Sequence, residues 1–216
     1  MCRSFALFDD VADVTSLTGY PLDSGATFPP PHFNISPGAP IMAIGAVGDE
    51  IQVTAMRWGY KPRWSPNDTP STHVARAESL ASKRYFKGAF TRHRCLVPVN
   101  GWYEWKYEGD EQLPFYFSVQ ERPRLYLAGI FTRLAEGGQG CAIVTEPARG
   151  KAKEISRRMP VVVAAGAEAW LDPTITDRET LKRYLRPLAP GTLNARQVDS
   201  TTDSSTQNYG GQNHSI

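Results

Sequence analysis

Residues 40–57 read PIMAIGAVGDEIQVTAMR and contain two apolar segments, 40–47 and 51–57, on either side of Gly48-Asp49-Glu50. Two such segments joined by a short loop that contains Gly are typical of a β-hairpin. Further extended segments follow, with turn signals at 108–110 and 137–138, so antiparallel pairing is expected. These segments span residues 95–99, 102–107, 115–119, 124–131, 140–145 and 161–163.

Helices are predicted between and around the strands. Asp9 or Asp10 can cap a first helix that stops at Gly19 and has one apolar face, comprising Val11, Val14 and Leu17. Further helices are predicted over residues 77–87, 149–156 and 166–171. A final helix is predicted to begin with a capping box of Thr176 and Glu179 and to turn three side chains towards the core, Leu181, Tyr184 and Leu185.

The order of these elements predicts the fold class. Strands and helices do not alternate regularly, which argues against a doubly wound α/β sheet. We expect an α+β fold with curved, mostly antiparallel, barrel-like β-sheets and peripheral helices, forming a single domain over residues 1–193. Residues 194–216 are rich in Ser, Thr, Gln, Asn and Gly and are predicted to form a polar C-terminal tail.

Composition excludes several classes of protein. The 216 residues are 41% hydrophobic and 21% charged, which excludes wholly disordered, collagen-like and coiled-coil chains. No apolar run approaches the roughly 20 residues that span a bilayer, so we expect no membrane partner and a cytoplasmic location. The three cysteines and four histidines have no ligand spacing, and we therefore predict reduced thiols, no metal and no cofactor.

Positive charge is concentrated in one part of the sequence. Residues 57–94 contain nine Lys or Arg residues and two acidic residues, within a chain whose net charge is only +2. A dense basic block suits a polyanion-binding face, although a solvated surface explains it equally well. Trp58 and Trp64 flank a loop with Lys61 and Arg63, which suits either a single-stranded nucleic-acid groove or core tryptophans.

Cys2 directly follows the initiator Met. If Met1 is removed, the chain begins with an amine and a thiol on adjacent carbons. The α-amine titrates near pH 7.7–8.0, so its neutral fraction can attack an aldehyde to form an imine, and the thiol can then close a thiazolidine ring. The alternative is an ordinary small residue at a chain terminus.

Two polar residues lie in unusual surroundings. Glu104 belongs to Gly101-Trp102-Tyr103-Glu104-Trp105, where neighbouring indoles would desolvate it and raise its pKa for acid–base work. The alternative is a half-exposed Glu paired with Lys106. Asn34 lies in the turn-forming stretch 33–38, where its side chain can simply bond its own backbone.

Several of these fragments occur in the order typical of one family. They are Met1-Cys2, Asn34-Ile35-Ser36-Pro37-Gly38, Trp58-Gly59-Tyr60, Ala75-Arg76-Ala77-Glu78, Lys83-Arg84-Tyr85-Phe86, Gly101 to Trp105 and Arg158-Met159-Pro160. Together they resemble the SOS response-associated peptidase (SRAP) family over roughly residues 2–200. The resemblance implies an abasic-site processing enzyme that acts on single-stranded DNA. If the source is a bacterium, the protein would be associated with the nucleoid. Nothing in the sequence demands more than a monomer.

The resemblance also implies roles for residues of this chain. Cys2 would capture the sugar aldehyde as a thiazolidine crosslink, Asn34 would lie near the sugar and Glu104 would transfer protons. A peptidase activity would remove Met1. The residues matching DNA-binding positions are Arg76, Arg84, Arg158, Trp64, Trp105 and Pro37.

Two positions depart from the family pattern. Val74 stands where the family usually has Asn, and Ser156 stands where it has His, which removes a hydrogen-bonding amide and a titratable imidazole. His73 adjoins Val74 but, in a strand, is expected to face the opposite side. The departures leave three hypotheses: covalent capture of abasic DNA, non-covalent single-stranded DNA binding by a degenerate member, and a thiol-dependent peptidase.

Overall fold

The computed structural model describes residues 3–119, 124–163, 166–185, 188 and 191–199. Within them the strands are β1 (Ser4–Leu7), β2 (His32–Ile35), β3 (Pro40–Val47), β4 (Glu50–Trp58), β5 (Val74–Arg76), β6 (Arg94–Val99), β7 (Gly101–Glu108), β8 (Glu111–Val119), β9 (Leu125–Arg133), β10 (Gln139–Pro147), β11 (Arg158–Pro160) and β12 (Leu193–Gln197). The helices are α1 (Val11–Thr18), α2 (Ala77–Leu80), α3 (Lys87–Arg92), α4 (Ala167–Leu171) and α5 (Arg178–Tyr184), with a 3-10 helix at Gly150–Glu154.

Two curved sheets form the fold, which confirms the predicted α+β class. The first sheet has the order β12-β8-β7-β1-β2 and is antiparallel throughout. The second has the order β11-β10-β4-β3-β6-β9, and pairing between β9 and β10 closes five of its strands into a small barrel. Pairing is not wholly antiparallel, because β10 runs parallel to both β4 and β5.

The predicted hairpin is confirmed. Strands β3 and β4 pair in unbroken register from Pro40–Arg57 to Val47–Glu50. Gly48 has a φ of 63°, a left-handed conformation that Gly adopts without steric cost, at the first position of the turn. The hairpin therefore supplies two neighbouring strands of the barrel.

The first helix forms as predicted, with one error. Asp10 is its N-cap, its side chain accepts a hydrogen bond from the Asp13 backbone amide, and Gly19 ends it with a φ of 70°. Val14 is fully buried, but Leu17 is 69% exposed. The helix thus rests on β4 through a narrower apolar face than the spacing indicates.

Other helix predictions are wrong in detail. The helix predicted over 77–87 ends at Leu80, and the hydroxyls of Ser79 and Ser82 donate to the backbone carbonyls three residues earlier. The final helix has Asp177, not Thr176, as its N-cap. Residues 150–154 form a 3-10 helix within the predicted helix at 149–156.

Five strands were not expected from the sequence: β1, β2, β5, β11 and β12. β2 contains Asn34, which was assigned to a turn, and β5 contains Val74. Conversely, residues 161–163 make only an isolated bridge between Val162 and Leu127. The last strand, β12, continues four residues past the predicted domain end at 193, whereas residues 200–216 of the predicted tail lie outside the described residues.

The core contains three tryptophans and two cysteines. Trp58, Trp102 and Trp170 are fully buried, and Cys95 and Cys141 are free, buried thiols.

No helix in the described part of the chain is long and apolar enough to cross a bilayer.

Arg94 is a buried cation that joins three segments. Only 2% of it is exposed, and its guanidinium donates to five backbone carbonyls near the ends of α3 and α4 and in the loop after α4. Burial lowers its pKa to about 10, so it stays charged at neutral pH. The carbonyls that helix ends leave without partners are thus satisfied by one side chain.

We expect an Arg94→Met variant to lose about 3–5 kcal/mol of unfolding free energy, because up to five carbonyls lose their donor at a buried position. Urea denaturation followed by circular dichroism measures this loss. Arg92→Met is the matched control, since Arg92 is an exposed cation in α3. Equal stability of the two variants would contradict the structural role of Arg94.

Candidate active site

A cleft of about 1130 Å³ lies where β7 and the residue before β1 in the first sheet meet β5 and β11 of the second sheet. Its lining contains one carboxylate among the described residues, Glu154, against six cations: Arg3, Arg76, Lys106, Lys153, Arg157 and Arg158. We call it the cationic cleft. Its excess of positive charge suits a polyanionic ligand.

The cleft does not coincide with the basic block of the sequence. Of that block only Arg76 lines the cleft. Elsewhere Arg57 pairs with Glu136 at 3.3 Å, and Arg94 is buried. Arg3, Lys106 and residues 153–158 come together only through the fold, so charge density along the chain could not identify them.

Glu104 lies on the face of β7 that packs into the core with Trp102, and it is only 1% exposed. The ladder of β1 and β7 pairs Ser4 with Tyr103, and the next residues along the two strands are Arg3 and Glu104. Burial raises the pKa of the Glu104 carboxyl, although a hydrogen bond from Ser156 and the charge of Arg3 oppose this effect. The alternative of a half-exposed Glu paired with Lys106 is therefore wrong, because Lys106 pairs with Glu108.

Ser156 contacts the carboxyl of Glu104 directly. Its Oγ donates to Glu104 Oε2 at 3.1 Å and lies 3.4 Å from the Arg158 amide nitrogen. The hydroxyl thus bridges β7 and the segment that leads into β11. Because Ser does not titrate near neutral pH, this position supplies a hydrogen bond but no proton acceptor of its own.

Arg158 lines the cleft but is committed to protein partners. Its guanidinium donates two parallel hydrogen bonds of 2.8 Å to the Glu78 carboxylate and two more to Thr145. The two hydrogen bonds that Arg158 donates to Glu78 lower the pKa of the Glu78 carboxyl. Arg76 lines the same cleft and is exposed. Arg158 therefore anchors β11 to α2 and β10, while Arg76 has the more accessible charge.

The predicted aromatic residues separate into two places. Trp105 lines the cleft together with Pro37. Trp64 is 57% exposed and does not line it. The Arg84 guanidinium lies 5.3 Å from the Trp64 ring centroid, and the Tyr85 ring packs edge-on against the same indole at 6.0 Å. Trp64, Tyr85 and Arg84 thus form a separate exposed platform of a flat ring and a cation.

Asn34 lies in β2, the strand that pairs with β1. Its backbone amide donates to His32 Nδ1. Its side-chain Oδ1 is buried and has no hydrogen-bond partner among the described residues. Asn34 does not line the cleft, although Pro37, three residues later, does.

His73 is in the cleft, contrary to the expectation that it faces away. It sits in a bend before β5 begins at Val74, so strand alternation does not apply to it. Its carbonyl accepts from Trp58 Nε1 and from the Ile143 amide, which fixes the backbone. His73 lines the cleft with Arg3 and Ser156, whereas Val74 does not. Its position next to Val74 in the sequence was the available signal.

Cys2 lies outside the described residues. Its neighbour Arg3 borders the cleft, and β1 starts at Ser4.

Comparison with known proteins identifies the family. The family model described as "SOS response associated peptidase (SRAP)" matches residues 1–205. The chain belongs to the SRAP family. Among its relatives, the abasic site processing protein YoaM of Bacillus subtilis is 29% identical over 96% of this chain and 95% of its own length. The abasic site processing protein YedK of Escherichia coli is 28% identical over 83% of each chain.

Solved structures have the same SRAP fold. A protein from Bacteroides thetaiotaomicron has a TM-score of 0.79 over 92% of this chain and 93% of its own, at 23% identity. A phage-related protein from Bordetella bronchiseptica has a TM-score of 0.74 at 28% identity, over 91% of this chain and 94% of its own. The order of motifs in the sequence therefore identified both the family and its fold.

Proposed function

We propose that this chain processes abasic sites in single-stranded DNA by capturing them covalently through Cys2 after Met1 is removed. Family membership and the names of the relatives support an abasic site as the substrate. The observation that carries the proposal is the buried Glu104 carboxyl beside a cationic cleft bordered by Arg3. Because a peptide bond joins Cys2 to Arg3, their Cα atoms are about 3.8 Å apart.

The chemistry proceeds in two bond-forming steps. First, the amine of Cys2 attacks the C1′ aldehyde of the ring-opened sugar, and two protons move from nitrogen to the oxygen that leaves as water. Second, the Cys2 sulfur adds to the imine carbon, and the thiol proton ends on the nitrogen of the thiazolidine. Glu104, whose pKa burial raises, is the proposed acid that delivers a proton to the departing oxygen. No oxidant or reductant is required.

The cleft and its surroundings provide binding groups for the strand. Arg76 has an exposed charge for a phosphate, and Trp105 and Pro37 offer apolar surfaces to a sugar or base. Arg84 and Trp64 form a second platform for the strand outside the cleft. Arg158 holds β11 through Glu78 and Thr145 at the edge of this surface, and the family resemblance supports a place for Asn34 near the bound sugar.

We propose that the protein acts as a monomer. Removal of Met1 is part of the proposal, because an amide nitrogen at Cys2 cannot form the imine. The alternative is a degenerate member that binds single-stranded DNA without a covalent bond, which the Val74 and Ser156 substitutions favour. A thiol peptidase would need a general base near Cys2, which would deprotonate the thiol for attack on a peptide bond.

The test is a denaturing gel of the protein mixed with an oligonucleotide that carries one abasic site. We expect a heat-stable band whose mass equals protein without Met1 plus DNA minus one water. An identical oligonucleotide whose abasic site has been reduced by borohydride is the matched control, since it lacks the aldehyde. Salt-sensitive binding with no covalent band would support the non-covalent alternative instead.

A further inference from the structure

The cationic cleft contains an imidazole that the proposed chemistry has not yet used. We propose that His73 is the general base of the crosslinking reaction, accepting the protons that leave the Cys2 amine. This inference rests on the proposed function. It assigns to His73, another residue of the cleft lining, the titratable role that Ser156 cannot fill.

The geometry holds the His73 ring at the cleft wall. Two hydrogen bonds to its backbone carbonyl, from Trp58 Nε1 at 2.8 Å and the Ile143 amide at 3.0 Å, fix the bend that carries it. The ring packs edge-on against Trp58, with centroids 5.8 Å apart and an interplanar angle of 83°. Its nitrogens make no hydrogen bond within the described residues, so they can receive a proton from a ligand.

The electrostatic surroundings keep this imidazole neutral. Burial lowers its pKa, and the charge of Arg3 lowers it further. Burial has the opposite effect on the Glu104 carboxyl, because it raises the pKa of that group. The imidazole thus favours its proton-accepting form at neutral pH, while the Glu104 carboxyl, which accepts a hydrogen bond from Ser156 of the cleft lining, holds its proton more tightly than an exposed carboxyl does. Other charged or titratable groups that line it are Arg76, Lys106, Tyr107, Lys153, Glu154, Arg157 and Arg158.

Proton balance defines the role. Imine formation removes two protons from nitrogen and places two on oxygen. His73 accepts each proton at the nitrogen and becomes imidazolium, while Glu104 releases each proton to the oxygen and becomes carboxylate. Exchange with solvent returns both groups to their starting forms, so the net product is one imine and one water.

The experiment compares His73→Ala with wild-type protein in single-turnover crosslinking to the abasic oligonucleotide. We expect the rate to fall about 10²-fold, within the range for loss of a general base. Added imidazole should restore the rate in proportion to its neutral form. His93→Ala is the matched control, because His93 also packs edge-on against an aromatic ring, Phe131 at 5.3 Å, but does not line the cleft.

Binding to an oligonucleotide with a tetrahydrofuran site, which has no aldehyde, separates catalysis from recognition. We expect His73→Ala to bind it as the wild type does. An unchanged crosslinking rate, a matching loss of tetrahydrofuran binding, or no response to imidazole would each overturn the role of His73. Absence of crosslinking by the wild-type protein would instead refute the proposed function itself.

Discussion

A Glu104→Gln variant is expected to crosslink abasic DNA about 10²–10⁴-fold more slowly than the wild type, the range for loss of a general acid. Gln preserves the size of the side chain and can still accept a hydrogen bond from Ser156 Oγ, which lies 3.1 Å from Glu104 Oε2. It cannot deliver a proton to the oxygen that leaves as water. The slow step should therefore be loss of that oxygen, and single-turnover rates on a denaturing gel measure it.

Glu154→Gln is the matched control for this prediction. Glu154 is an exposed carboxylate that lines the same cleft, so the same Glu-to-Gln exchange there removes a cleft charge and leaves the buried acid in place. We expect its crosslinking rate to stay within about threefold of the wild type, as an exposed charge affects mainly binding. Equal slowing in both variants would show that charge, not proton transfer, controls the rate.

Stability gives an independent check on Glu104. Because its folded-state pKa is raised, the folded protein binds more protons than the unfolded chain between the two pKa values, and stability falls as pH rises through that interval. Gln cannot ionise, so Glu104→Gln should be at least as stable as the wild type at pH 7. A lower Tm of the variant at pH 7 would contradict the pKa direction.

Strands that pair with a neighbour in the sequence were predictable, whereas strands that pair with a distant segment were less so. Strands β3 and β4 follow one another with a Gly48 turn, so their register is set by adjacent sequence. β5 is only three residues long and pairs with β10, some 70 residues later, in parallel register. Such a short strand has no periodicity of its own, because the partner strand determines its conformation.

The burial of Glu104 was predictable from the sequence, whereas the set of cations around the cleft was not. An aromatic strand signalled the burial of Glu104, which the structure confirms at 1% exposure. The cations of the cleft are contributed by four separate segments, so no window of sequence contains them. His73 was misplaced because alternation was applied to a residue that precedes its strand.

Replacing Cys2 by Ala is expected to abolish the heat-stable crosslink, the largest effect predicted for any single substitution here. The variant keeps an N-terminal amine after Met1 removal and can still form an imine with the aldehyde. An imine hydrolyses readily in water, whereas the thiazolidine gains a carbon–sulfur bond that only a neighbouring thiol supplies. We therefore expect a band from Cys2→Ala only when borohydride is present to reduce the imine.

Insertion of one Ala between Met1 and Cys2 is the matched control, because it retains the thiol but converts the amine of Cys2 into an amide. Its new terminus is an Ala amine, so this variant should also require borohydride. If the inserted variant forms a heat-stable crosslink at the wild-type rate, the paired amine and thiol are not the nucleophile. If only the inserted variant fails with borohydride while binding tetrahydrofuran DNA normally, the amine must reach the aldehyde in one register, fixed by the pairing of β1 with β7. If Cys2→Ala also fails, the amine does not capture the aldehyde without the thiol.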